Sequence, residues 1–195
     1  MKSPVLMVMA GPNGSGKSTI TSKYEPIGYY VNADEIQRHI GCDELTAAKI
    51  ATNTREKLLS QFEDFTFETV LSTPRNLNLM ERAKVLGYHV TCIYVLTVNP
   101  EINVARVKKR KESGGHDVPP EKVRERYRRA MTLFPKLLEI CDELYVYDNT
   151  LDREEGGPQR IICKQDNAIQ LIPGEVWTME MLKSLCSGTY SPKNK

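Results

Sequence analysis

Apolar residues along the chain fall into short solid runs, separated by longer stretches in which they recur every three or four positions. That is the alternation expected of buried strands and the helices that cross between them. Val5 to Ala10 is the first solid run and predicts a buried strand. Gly28 to Asn32 and Phe65 to Leu71 have the aromatic and β-branched content of strands, the second with its phenylalanines on one face. His89 to Leu96 and Leu144 to Tyr147 predict two more, while Arg160 to Lys164 and Ala168 to Ile172 predict a hairpin about Gln165-Asp166-Asn167. Helical spacing fills the intervals. A helix continues from Ser18, another spans roughly Glu44 to Gln61, and Pro74 starts one with Leu77, Met80, Ala83 and Leu86 on its core face until Gly87 ends it. Asn99 as N-cap and Pro100 at the first helical position start the next. Val123, Tyr127, Met131, Phe134 and Leu138 form the apolar stripe of its successor. Glu175 to Cys186 reads as a closing helix with Val176, Met179 and Leu182 inward, followed by a disordered tail from Ser187 to Lys195. The expectation is an α/β fold in one domain, residues 1–186, with a mostly parallel central sheet.

Between the first strand and helix lies Gly11-Pro12-Asn13-Gly14-Ser15-Gly16-Lys17-Ser18, which satisfies the phosphate-binding pattern G-x-x-x-x-G-K-[ST]. Glycines there let successive backbone N–H groups curl around polyphosphate oxygens. Lys17 would reach the β/γ-phosphates and Ser18 would hold Mg²⁺. Ligands of open α/β sheets bind outside the carboxyl ends of the strands, which places Asp34, after the second strand, near the phosphates. Glu68, late in the third strand, would sit where a magnesium-water or substrate ligand belongs.

Composition changes this picture little. At 195 residues with a formal net charge of +2, the chain is long enough for one α/β domain, and its overall charge gives no warrant for a nucleic-acid or membrane partner. Five scattered cysteines with no C-x-x-C pair read as free thiols of a reducing compartment. No apolar stretch approaches the ~20 residues that span a bilayer, so a cytoplasmic protein is expected. Charge is instead concentrated locally. Arg106, Lys108 to Lys111, Lys122, Arg124, Arg126, Arg128 and Arg129 flank the Gly/Pro-rich hinge Gly114 to Pro120, as in a lid, about residues 106–129, that closes over a nucleotide. Arg106 and Arg110 share a helix face.

Among phosphate-loop machines, GTPases are disfavoured by the absence of N-K-x-D, and hydrolytic motors by the position of Asp142-Glu143 before a strand instead of at the end of one. A kinase needs a carboxylate for the acceptor hydroxyl, Mg²⁺, and lid arginines for the γ-phosphoryl charge. The ordered set Gly11 to Thr19, Asn32-Ala33-Asp34-Glu35, Phe67-Glu68-Thr69, Arg106 to Arg110, Gly114 to Pro119, Arg126-Tyr127 and Tyr147-Asp148-Asn149 resembles the zeta toxin family, particularly its compact single-domain members. The resemblance runs from about residue 5 to 150. It implies a nucleoside-kinase-like, three-layer αβα P-loop NTPase fold and ATP-dependent phosphorylation of a sugar hydroxyl, UDP-N-acetylglucosamine being the acceptor of better-known relatives. Carried over by the resemblance, Gly11, Asn13, Gly14, Ser15, Gly16, Lys17, Ser18, Thr19 and Asn149 bind ATP, with Mg²⁺ on Ser18. Asp34 is the base, Glu68 contacts substrate, Arg110 and Arg126 clamp the γ-phosphate, and Arg106 helps on the substrate side. An antitoxin protein becomes a candidate partner. Gln37 stands where toxin members often carry arginine, with Arg38 one step on, so the acceptor stays open. Two other readings keep the loop: a kinase of polynucleotide ends, and a nucleotide-dependent regulatory or toxin–antitoxin binding module.

Overall fold

A computed structural model describes residues 3–112 and 118–192. Strands β1 (Val5–Ala10), β2 (Tyr29–Val31), β3 (Phe65–Thr69), β4 (His89–Leu96), β5 (Glu143–Asp148), β6 (Gln159–Gln165) and β7 (Ala168–Leu171) form one sheet in the order β2-β3-β1-β4-β5-β6-β7. Pairing is parallel from β2 through β5 and antiparallel across β5, β6 and β7. Each parallel step is crossed by helix: α1 (Lys17–Thr21), α2 (Ala33–Ile40), α3 (Glu44–Ser60), α4 (Pro74–Val85), α5 (Pro100–Glu112), α6 (Pro120–Leu133) and α7 (Pro135–Ile140), with α8 (Met179–Ser187) last.

β1 and β4 are solid apolar runs because they lie inside the sheet and are covered on both faces. Leu6, Val8, Val90, Cys92, Tyr94 and Leu96 meet residues of α3, α4, α6, α7 and α8, with Tyr94 and Phe134 edge-on at 5.2 Å. The other face, Met7, Met9, Ile93 and Val95, packs under Ile20 of α1 and the tyrosines Tyr24, Tyr30, Tyr145 and Tyr147. Caps set the helix starts. Asn99 Oδ1 accepts from Glu101 N at 2.8 Å, and Asp43 Oδ1 from Thr46 N at 3.0 Å.

Four expectations are corrected. Leu86 is not a core residue: it lies past the end of α4 and is 41% exposed, while Leu79 is buried. The last helix starts at Met179, not Glu175, because Thr178 Oγ1 caps Met181 N; this turns Met179 outward and buries Trp177. The stripe from Val123 to Leu138 is shared by two helices, since Pro135 begins α7. The tail is ordered through its first residues: Ser187 ends α8, and Tyr190 packs on Trp177 with ring centroids 4.9 Å apart while donating to Val98 O at 2.7 Å. Residues 193–195, and Ser113 to Asp117 of the expected hinge, lie outside the described residues. All five cysteines are free. Among the described residues no helix is long and apolar enough to cross a membrane.

Candidate active site

Leaving β1, the chain is tied to its neighbour strand by Gly11 N donating to Thr69 O at 3.1 Å. The loop then threads between α5 and the end of β5. Gly14 and Gly16 have φ of 75° and 81°, and their backbones leave no room for a side chain: a Cβ at Gly14 would meet Asn103 O at 2.4 Å, and one at Gly16 would meet Asn149 Nδ2 at 2.0 Å. Two asparagines pin the loop from outside, Asn103 Nδ2 donating to Asn13 O at 2.8 Å and Asn149 Nδ2 to Ser15 O at 2.9 Å. Inside, Ser15 Oγ is fully buried and has no hydrogen-bond partner. A buried hydroxyl left unpaired is costly, and a phosphate oxygen in this loop would satisfy it. The cradle therefore fits a polyphosphate.

Lys17, the first residue of α1, folds back over the loop, its Nζ donating to Gly11 O at 2.8 Å and Pro12 O at 3.3 Å. Burial lowers its ammonium pKa from 10.5 to about 8; the charges of Glu68 and Asp34 oppose that shift, and Arg110 adds to it. Groups from β3, α2 and α5 thus act on one ammonium. Ser18, on the first turn of α1, is exposed, and Thr19 beside it is half-buried.

Asp34 is exposed in the first turn of α2, whose N-cap Asn32 accepts from Asp34 N at 2.9 Å and Glu35 N at 3.4 Å. Glu68 lies opposite Met9 of β1, one position short of the strand end, and Tyr30 OH donates to its Oε1 at 2.6 Å. Burial, then this bond to a carboxylate, raises the Tyr30 pKa, so the phenol stays protonated. On the opposite face of β3, Arg55 lies 4.9 Å above the Phe67 ring and donates to Asn76 Oδ1 at 3.2 Å, while Asn76 Nδ2 donates to Thr69 Oγ1 at 2.7 Å.

The lid arginines separate. Arg106 donates to Asn149 O at 2.6 Å, Thr150 O at 3.3 Å and Asp152 Oδ1 at 3.3 Å. It borders a groove of about 220 Å³ with Gly16, Thr19, Asn149, Leu151, Asp152 and Pro158. Arg110, one turn on, acts on Lys17 instead. Arg126 reaches over from α6 to donate to Asn13 Oδ1 at 3.1 Å. Arg124 has another task, joining α6 to α5 by donating to both carboxylate oxygens of Glu101 at 2.7 Å. A larger recess of about 370 Å³ between Pro4, Gly28, Tyr29 and Asp64 lies at the opposite end of the strands and holds none of these groups. Sequence reasoning missed Tyr30, Arg55, Asn76 and Asn103. A tyrosine two residues before the N-cap of the Asp34 helix was the one local signal available.

No family model matches the chain. An uncharacterized protein of Haemophilus influenzae is 32% identical over 123 residues, which are 60% of this chain and 88% of that protein. The chain belongs to the same family as that protein. Among solved structures, a chain of the AvrRxo1-ORF1:-ORF2 complex with ATP superposes with a TM-score of 0.71 at 15% identity, over 99% of this chain and 66% of its own length. The PezAT toxin–antitoxin system of Streptococcus pneumoniae gives a TM-score of 0.58 at 18% identity, over 98% of this chain and 81% of the other. The Pnkp1/Rnl/Hen1 RNA repair complex gives 0.53 at 21% identity, over 67% of this chain and 45% of the other. This chain therefore spans just under two thirds of the AvrRxo1 chain it matches. At these identities the likeness is one of fold, and the fold is the zeta-toxin-like P-loop kinase fold.

Proposed function

We propose that the protein is a kinase that transfers the γ-phosphate of ATP to a hydroxyl group of a small metabolite, within a single catalytic domain. The observation that carries this reading is the loop cradle, in which the buried Ser15 Oγ has no partner, Lys17 folds back over Gly11 and Arg126 reaches Asn13, with the charges of Glu68, Arg110 and Asp34 all acting on the Lys17 ammonium. In the reaction the acceptor oxygen forms a bond to the γ-phosphorus, the bond from that phosphorus to the β–γ bridging oxygen breaks, and ADP leaves. Asp34 takes the hydroxyl proton, and its exposed position at the start of α2 leaves it open to an acceptor. Lys17, Arg110 and Arg126 hold the charge that spreads over the γ-phosphoryl oxygens. Arg106, turned to the Asn149–Asp152 segment, shapes the donor side. Glu68 orients the acceptor. Mg²⁺ bound with the nucleotide would neutralise phosphate charge, and the exposed Ser18 hydroxyl would be the protein group to hold it. Because neighbouring folds come from two-chain systems, an inhibitory partner protein is part of the reading.

The test is Asp34→Asn, assayed with γ-labelled ATP against a fractionated small-molecule extract, UDP-N-acetylglucosamine and a 5′-hydroxyl oligonucleotide. ATP affinity should stay within about threefold of wild type while transfer falls by about 10²- to 10⁴-fold. Transfer at the wild-type rate would remove Asp34 as the base. Label appearing only on the oligonucleotide would reassign the acceptor to a polynucleotide end. Tight ATP binding with no labelled product would favour a regulatory binding module.

A further inference from the structure

Two carboxylates that the proposed reaction needs on the acceptor side come from different elements, Glu68 from β3 and Asp34 from α2, and the parallel pairing of β2 with β3 ends at Val31 and Phe67, short of both. What joins them is an unbroken run of hydrogen bonds through β2. Tyr30 OH donates to Glu68 Oε1 at 2.6 Å and accepts from Asn32 Nδ2 at 3.1 Å. The other end of the same amide, Asn32 Oδ1, accepts from the backbone N–H groups of Asp34 and Glu35 at 2.9 and 3.4 Å. Each group is used in the only sense its chemistry allows: an ionised carboxylate accepts, the phenol donates its one proton and accepts on its lone pair, and the amide donates from nitrogen and accepts on oxygen. The Tyr30 bond also dictates which way the Asn32 amide faces, because a flipped Asn32 would set its oxygen against the phenol lone pair and its NH₂ against two N–H donors.

β2 is the edge strand and only three residues long, pairing with β3 alone. α2, which follows at once, has no buried residue. Ala33 and Ile36 of its first turn pack against the core only in part, so the orientation of that turn also leans on its cap. We propose that Tyr30 is a positioning residue, coupling the Glu68 carboxylate through Asn32 to the N-terminal turn of α2 and so fixing where Asp34 stands relative to Glu68. The inference rests on the kinase reading for its catalytic meaning, and on the hydrogen-bond run alone for the coupling. A displacement of about 1 Å in a reacting group can cost up to ~10²-fold in rate, so a single phenol oxygen has enough leverage to matter.

The coupling is read without any substrate, by hydrogen exchange at the Asp34 and Glu35 amides in the full chain. Tyr30→Phe should speed exchange there by about tenfold or more with the remaining protection pattern intact, a change in local opening and not in global stability. Glu68→Ala, which has no direct bond to α2, should do the same. Glu68→Gln, which keeps an acceptor oxygen for Tyr30, should retain wild-type protection. The double variant Tyr30→Phe/Glu68→Ala should exchange no faster than either single variant, because one run is broken once. With the labelled-ATP assay on the small-molecule extract, Tyr30→Phe should lower product formation about tenfold at unchanged ATP affinity. Exchange in Tyr30→Phe or Glu68→Ala within twofold of wild type, or an additive double variant, would overturn the proposal. If wild type labels no acceptor, the kinase reading fails, while the exchange results still decide the coupling.

Discussion

Lys17 should make ATP binding depend on pH in a range where an ordinary lysine would not. Burial in the loop brings its pKa to about 8 in the free protein. Polyphosphate within hydrogen-bond reach restores the charged form, so the bound-state pKa lies above the range tested and binding takes up a proton whenever free Lys17 has lost one. A group of pKa 8 is roughly nine-tenths charged at pH 7 and about 3% charged at pH 9.5, so affinity for ATP should fall about 30-fold over that interval. A lysine at its usual 10.5 would still be about nine-tenths charged at pH 9.5, and affinity would hardly change. Isothermal titration calorimetry in buffers of different ionisation enthalpy measures the same quantity directly: at pH 8.5, about three-quarters of a proton should be taken up per ATP bound. Lys17→Arg, which stays charged throughout, should flatten the affinity profile, and Lys17→Met should flatten it at a weaker affinity. A wild-type affinity constant within threefold from pH 7 to 9.5, with no proton uptake, would refute both the burial of Lys17 and its contact with phosphate.

Two further expectations concern the scaffold. Gly14→Ala should cost about 1–3 kcal/mol in denaturant unfolding and at least tenfold in ATP affinity, because its Cβ meets the Asn103 carbonyl, while Gly41→Ala, also at positive φ but with nothing within 4 Å, should cost about 1 kcal/mol and leave ATP affinity alone. Equal losses at the two sites would mean that backbone strain alone, and not the close approach of α5, decides the cost. Asp142 ties α4 to the start of β5, accepting from Lys84 Nζ at 2.5 Å and Val90 N at 2.8 Å. Burial pushes its carboxyl up, but the Lys84 bond, the Val90 N–H and the charges of Lys84 and His89 outweigh that and hold it below the usual range. A depressed carboxylate stabilises the fold above its unfolded pKa and stops doing so as pH falls through its folded one. Lys84→Met should therefore cost about 1 kcal/mol at pH 7, a modest figure because both side chains are partly exposed, and less at pH 3, below the unfolded carboxyl pKa; urea titrations at the two pH values check it, and a loss unchanged at pH 3 would contradict the ion pair.

Much of the architecture is written locally. Val5–Ala10 and His89–Leu96 are read directly because strands buried on both faces need unbroken apolar runs, and Asn99-Pro100 and Pro74 mark helix starts because capping chemistry and the fixed φ of a first-turn proline are local. The glycines and lysine of residues 11–18 likewise carry a phosphate-loop pattern, since glycines at that spacing let successive backbone N–H groups curl around an anion. Errors arose where a residue's surroundings came from afar. Met179, expected inward, turns outward because a cap shifts the helix start by a few residues, and Tyr190 is held by Val98, 92 residues away. The same holds at the site. Tyr30 meets Glu68 across 38 residues, and Arg126 meets Asn13 across 113. Arg106 and Arg110 share one face in sequence, yet one turns to the Asn149–Asp152 segment while the other acts on Lys17. Periodicity, caps and loop motifs are properties of neighbours along the chain, so the sequence alone determined most of the elements and the phosphate-loop motif. Strand order, the partner of each arginine and the lowered pKa of Lys17 depend on which distant backbones pack together, and only the tertiary structure decided them.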